Sequence, residues 1–244
     1  KYVAQLFSGI NYDVKSLPGV YLGIVMGRHA GFLTASSSLL KKESDDGPNL
    51  IYIPESPFQV NTFLSQVKTV FNKCGRCVIA ISEGIQDKNK KLISQKIIKK
   101  TEYDAHGNIQ LSGTGSLGDY LSGEIKKKLK LPRVRADTLG YPQRCFLGST
   151  SEIDQKEALQ IGIFASKYSN KNNTSFSAGI LERKKFTTPY STTFIANSLE
   201  RVAGKTKIMP QSFYNVKKSF VTNYFINYAL PLIGKKIFKT KSII

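Results

Sequence analysis

Gly19-Val-Tyr-Leu-Gly-Ile-Val-Met-Gly-Arg-His-Ala-Gly-Phe-Leu-Thr-Ala-Ser-Ser-Ser-Leu-Leu40 reads as a strand, a turn and a helix in one stretch. Gly19–Val25 is apolar at successive positions, as a strand covered on both faces requires. Met26-Gly27-Arg28 interrupts it, and Ala30–Leu40 has helical composition without proline. The alternation recurs downstream. Leu50–Ile53 predicts a strand ending at Pro54-Glu55, Val60–Phe71 spaces its apolar residues as a helix does, and Cys77–Ile81 predicts a strand ending at Ser82-Glu83-Gly84. Leu117–Leu131 predicts a helix closed by Pro132, Val134–Asp137 a short strand, and Ile153–Ser169 an amphipathic helix. Strands alternating with helices imply an α/β fold, a doubly wound and mainly parallel sheet with helices on both faces. Beyond Asn170 the order loosens: Phe176–Leu181 predicts a strand, Thr193–Val202 fits a strand or a helix, and Phe213–Ile233 carries aromatics at helical spacing before Pro231.

The chain has 244 residues, enough for one large or two small domains, and its 41% hydrophobic content excludes wholesale disorder and a disulfide scaffold. Lys and Arg number 36 against 17 Asp and Glu, a formal charge of +19, which favours an anionic partner: nucleic acid, acidic membrane or a phosphorylated metabolite. No stretch approaches the roughly eighteen apolar residues of a membrane span, and Lys1–Asn11 has no signal-peptide core. Three cysteines, Cys74, Cys77 and Cys145, fit reduced thiols in the cytoplasm. Lys1-Tyr-Val-Ala begins as if inside a helix, so an upstream region is expected to be missing.

In an open parallel sheet, ligands bind beyond the carboxyl ends of the strands. Here those ends carry Met26-Gly27-Arg28, Pro54-Glu55, Ser82-Glu83-Gly84 and the loop Thr138–Arg144. Gly27 lets backbone approach a ligand, Arg28 offers a bidentate fork for phosphate, and Glu83 is an acceptor for sugar hydroxyls.

Val25-Met-Gly-Arg-His-Ala-Gly31, Ile53-Pro-Glu-Ser-Pro-Phe58, Ile81-Ser-Glu-Gly84 and Arg135-Ala-Asp-Thr-Leu-Gly-Tyr-Pro-Gln-Arg144, in this order, resemble the fructose 6-phosphate half of the phosphofructokinases over roughly Lys1–Gly234. Tyr141, Ser151-Glu-Ile-Asp154 and Val202-Ala-Gly-Lys205 are more similar to the pyrophosphate-dependent branch. The resemblance implies transfer of a phosphoryl group from pyrophosphate, or from ATP, to the 1-hydroxyl of fructose 6-phosphate with Mg²⁺, in a cytoplasmic, glycolytic homo-oligomer. It implies that Met26, Gly27 and Arg28 contact the sugar phosphate and the transferred phosphoryl region, Arg28 serving catalysis. Glu83 would hold the fructose hydroxyls, Tyr141 and Arg144 would bind the 6-phosphate within the subunit, Gln143 would be a further substrate-binding residue, and Arg135 would reach the 6-phosphate of a neighbouring subunit. It further implies a fructose 6-phosphate-binding α/β domain over residues 1–143, and a helix and strand over 144–190 that pack on a donor-binding domain. A C-terminal segment over 191–234 and a basic tail over 235–244 complete the chain. No residue of this chain is expected to ligate metal.

There are departures. The family's glycine-rich donor loop and its Thr-Ile-Asp general-base motif are not found in this chain, Ile24 stands where many relatives have Glu, and Gly19 where they often have Arg. These motivate an alternative, a degenerate, non-catalytic sugar-phosphate-binding or regulatory subunit. The net charge motivates a third reading, a basic nucleic-acid binder, against which the lysines are dispersed and form no recognition motif. Gly113-Thr-Gly-Ser-Leu-Gly118 fits a dinucleotide fingerprint but lacks a buried strand before it, and Cys74-Gly-Arg-Cys77 is placed as a structural thiol pair.

Overall fold

Strands buried on both faces form the middle of a computed structural model that describes residues 1–97, 115–131, 133–183 and 190–234. β1 (Val20–Val25) and β3 (Cys77–Ser82) are buried at every position. They pair in parallel, Val20 opposite Cys77 and Val25 opposite Ser82. β4 (Val134–Thr138) pairs in parallel with the other side of β1, and β2 (Leu50–Tyr52) with the outer side of β3. The sheet order is therefore β2-β3-β1-β4, with β1 between the two strands whose loops matter most. The predicted turn Ala105–Asn108, the first residues of the Gly113–Gly118 stretch, Pro132 and the tail 235–244 lie outside the described residues.

Side chains alternate across the sheet and divide the core in two. Tyr21, Val25, Ile51, Val78 and Ala80 face α1 (Tyr2–Ser16), whose Val3, Phe7 and Val14 recur at helical spacing. Leu22, Ile24, Ile79 and Ile81 face α3 (Val60–Cys74) and α4 (Ser116–Leu129) through Phe63, Val67, Leu121 and Ile125. Phe7 lies so close to the sheet that a Cβ on Gly23 would stand 2.5 Å from its Cζ, which is why β1 carries a glycine at its centre. Packing also accounts for the two departures. Ile24 is a core residue facing α4, and a Cβ on Gly19 would stand 2.8 Å from the Arg133 carbonyl oxygen. Cys74 ends α3 and Cys77 opens β3, fully buried, its thiol pushed up by burial.

After β1 the chain turns into α2 (Phe32–Ala35), continued by a 3-10 turn at Ser36–Ser38. After β4 come α5 (Pro142–Cys145) and α6 (Glu152–Ser169), the latter capped by Ser151, whose Oγ accepts the Asp154 N–H at 3.3 Å. α6 packs against an antiparallel pair, β5 (Ser177–Arg183) and β6 (Thr192–Asn197). Arg183 there donates to Glu157 Oε2 at 2.9 Å and to the Tyr228 hydroxyl at 3.2 Å, tying this unit to the C-terminal helix.

Two readings of the C-terminal part resolve differently from the sequence pattern. Thr193–Val202 is both a strand and a helix: β6 is followed, after Ser198, by α7 (Leu199–Val202). Phe213–Ile233 is not one helix. It forms a hairpin, β7 (Tyr214–Asn215) and β8 (Phe220–Val221), then α8 (Asn223–Ala229) and a 3-10 turn. Ser219 adopts φ +47° in the turn between β7 and β8, and the hairpin answers an unmet demand of the sheet. The outer edge of β2 needs partners, and Ile51 donates its N–H to Ser219 O at 2.8 Å while its carbonyl accepts the Tyr214 hydroxyl at 2.6 Å.

A buried polar knot fixes α1 to the loop before β2. Asp46 Oδ1 accepts from Asn11 Nδ2 at 2.9 Å and Lys15 Nζ at 2.6 Å, and Oδ2 accepts from the N–H groups of Glu43 at 2.9 Å and Lys42 at 3.2 Å. Burial alone would raise the carboxyl pKa; the Glu43 N–H, Lys15 and Asn11 outweigh it and hold it far below the ordinary carboxylate range. A depressed folded pKa contributes stability that is complete above the unfolded value of about 3.9 and is lost as pH falls through the folded one. Asp46→Asn is therefore expected to cost about 1.5–3 kcal/mol near neutral pH. In urea denaturation the gap to the parent protein should narrow below about pH 4. A gap independent of pH would refute the role of the charge.

Candidate functional site

Three neighbouring strands, β3-β1-β4, end on the same side and deliver three loops to one place. The first follows β1. Gly27 has φ +149°, a region L side chains rarely adopt, and a Cβ there would stand 2.8 Å from Ala30 O. Its N–H donates to Glu83 Oε1 at 3.2 Å, and its carbonyl accepts from Ser82 Oγ at 2.5 Å. Ser82 Oγ also accepts the Gly84 N–H at 3.2 Å. The second loop, Ser82-Glu83-Gly84, is thus clasped to the first. Gly84 lies against the backbone of Arg28, where a Cβ would stand 2.0 Å from the carbonyl oxygen.

The third loop follows β4 and starts parallel to β1, with Leu139 N–H on Ile24 O at 2.9 Å. α5 then brings Gln143 back toward β1, where its Oε1 accepts the Met26 N–H at 3.1 Å. Tyr141 and Arg144 flank Gln143 and are exposed, the guanidinium carbon 5.7 Å from the Tyr141 ring centroid. Of the predicted site residues, Met26, Gly27, Arg28, Glu83 and Gln143 are joined by these contacts, with Arg144 on the same short helix as Gln143 and Tyr141 at that helix's N-cap. Arg135 stands apart: it projects from β4, exposed, opposite Tyr21 of β1, and among the described residues no hydrogen bond or ion pair links it to the cluster.

Glu83 is 8% exposed. Burial pushes its carboxyl above the ordinary range, partly offset by the Gly27 N–H and the charge of Arg28. A desolvated carboxylate beside a guanidinium, with a glycine turn between them, can hold hydroxyls at one end and phosphate at the other.

Sequence reasoning missed two supports. Ser82 holds both glycines, as above. Glu55, predicted at the end of a strand, spends Oε1 on the N–H groups of Gly31 at 3.0 Å and Met209 at 2.8 Å, so it braces the start of α2 against the C-terminal segment. Its position after a strand was a visible signal; its partner at Met209 was not. Among the described residues no group of three carboxylate, imidazole or thiolate side chains could hold a metal ion. A cavity of about 610 Å³ opens between α2, α6, β5 and α8, lined in part by Leu33, Lys207, Phe225 and Tyr228, and one of about 230 Å³ lies beside Glu157 and Tyr190. Neither is lined by the strand-end cluster.

A family model described as Phosphofructokinase matches residues 1–168. The pyrophosphate–fructose 6-phosphate 1-phosphotransferase of Rhodospirillum rubrum is 51% identical over 235 residues, covering 96% of this chain and 57% of that protein. The protein of the same description from Xanthomonas campestris pv. campestris is 31% identical over 237 residues, covering 96% and 54%. A crystal structure of a pyrophosphate-dependent phosphofructokinase from Marinobacter aquaeolei superposes with TM-score 0.77 at 24% identity, over 99% of this chain and 56% of that one, and so shares its fold. The chain spans a little over half the length of the relatives it matches.

Proposed function

The chain belongs to the phosphofructokinase family, and from that premise we propose that it supplies the sugar-phosphate half of an enzyme moving a phosphoryl group from pyrophosphate, in preference to ATP, to the 1-hydroxyl of fructose 6-phosphate, giving fructose 1,6-bisphosphate. The observation that carries this reading is the junction of three strand-end loops through the Gly27–Glu83 and Met26–Gln143 hydrogen bonds. The relatives' descriptions support pyrophosphate as donor.

The roles follow from the chemistry. Phosphoryl transfer is mostly positioning and charge stabilisation, with little covalent work for the protein. Arg144, stacked on Tyr141, grips the 6-phosphate dianion from the exposed side. Glu83, oriented through Oε1 by Gly27, takes the fructose hydroxyls with Oε2 and sets the sugar's direction. Arg28 then faces the 1-hydroxyl end, where its charge stabilises the phosphoryl group in flight. Magnesium carried by the donor would neutralise charge on the phosphate oxygens, and no residue of this chain is assigned to hold it. The general base belongs to the rest of the enzyme. The proposal includes a homo-oligomer in which Arg135, exposed on β4, reaches a neighbouring subunit's substrate, and a cytoplasmic, glycolytic setting. Among the described residues no helix is long and apolar enough to cross a membrane.

The test is an assay of the full-length protein with fructose 6-phosphate and each donor in turn. Turnover with pyrophosphate is expected. Turnover with ATP alone would overturn the donor assignment, and turnover with neither would overturn the reaction in favour of a non-catalytic sugar-phosphate binder.

A further inference from the structure

Gln143 is tied at one end only. A backbone N–H can donate but not accept, so the amide oxygen must be the atom that faces Met26, and this sends Nε2 to the opposite side. That Nε2 is buried and has no hydrogen-bond partner among the described residues. Buried amide donors are almost always satisfied, so an orphan beside exposed Tyr141 and Arg144 marks a place where an acceptor arrives with a ligand. The other end of the side chain holds the turn that carries Arg28, a turn already pinned by Glu83 and Ser82 on its far side.

We propose that Gln143 is a positioning residue that couples the two ends of the site: Nε2 donates to an oxygen of the bound sugar phosphate while Oε1 holds Met26, so that occupancy beside Arg144 sets the placement of Arg28. The proposal rests on this end of the sheet being the sugar-phosphate site. Substrate binding then satisfies the orphan donor and stiffens the Met26 turn in one event. A residue that only bound phosphate would change substrate affinity alone; a coupling residue also changes the chemical step.

Two variants of the full-length protein separate the functions. Gln143→Glu keeps an acceptor for Met26 and removes the donor, whereas Gln143→Leu removes both. Hydrogen exchange at the Met26 amide should stay slow in the parent and in Gln143→Glu and rise at least about tenfold in Gln143→Leu. Both variants should raise the KM for fructose 6-phosphate about tenfold and lower kcat, Gln143→Glu because bound substrate no longer bears on Met26, and Gln143→Leu, by about tenfold or more, because Met26 is also released. Unchanged Met26 exchange in Gln143→Leu, or an unchanged kcat in Gln143→Glu, would overturn the coupling. If the parent protein turns over no fructose 6-phosphate with either donor, the reaction fails rather than the tie. Inorganic phosphate then decides: slower Met26 exchange on its addition to the parent but not to Gln143→Leu supports the coupling, and no difference overturns it.

Discussion

Gly84→Ala should abolish most turnover while leaving a folded protein. The added Cβ would stand 2.0 Å from the Arg28 carbonyl oxygen, 2.5 Å from its carbon and 2.7 Å from its Cα. All three are backbone atoms and cannot rotate aside as a flexible side chain would. Relief to ordinary contact requires Arg28 to move by more than about 1 Å, and a misplacement of that order costs about a hundredfold in rate. The expected stability loss is only about 1–3 kcal/mol, the usual range for overpacking. Measured on the full-length enzyme, kcat should fall about a hundredfold with a cooperative thermal transition retained. Wild-type turnover would mean that the β1 and β3 loops are not in contact in the working enzyme.

Arg144→Ala should weaken fructose 6-phosphate binding about tenfold to a hundredfold, the effect of losing one charge-assisted contact worth about 1.5–3 kcal/mol. Its exposure makes the change cheap for folding, so binding should be the main casualty. Affinity for the phosphoryl donor should scarcely change. Titration of both ligands against the variant checks this, and an unaltered sugar-phosphate affinity would remove Arg144 from the site. Arg135→Ala gives a companion measurement: if Arg135 acts across subunits, its contribution should vanish in an enforced monomer.

Much of the α/β core was legible because its strands are covered on both faces. Val20–Val25 and Cys77–Ser82 have no solvent side, so the chain writes them as continuous apolar runs whose ends stand out against Met26-Gly27-Arg28 and Ser82-Glu83-Gly84. The residues at those ends could be named for the same reason. What could not be read was who holds whom. Met26 and Gln143 are 117 positions apart, Glu55 and Met209 are 154 apart, and neither hydrogen bond leaves a periodic trace. Phe213–Ile233 misled because its aromatics recur at helical spacing although one of them, Tyr214, joins Ser219 in answering the open edge of a short strand. Local pattern records what a segment buries, not the hydrogen bonds another segment lacks.

The hairpin over β2 also imposes an order on biosynthesis. The two outward hydrogen-bonding groups of Ile51 are met by Tyr214 and Ser219, so for the time it takes to polymerise some 170 further residues that edge has no cover. A ribosome-bound chain halted near residue 205 would display a short apolar strand, Leu50-Ile-Tyr52, to every other such chain on the polysome. Insolubility of chains truncated before Tyr214 is the expected cost of closing a sheet with a segment made so much later than the strand it covers.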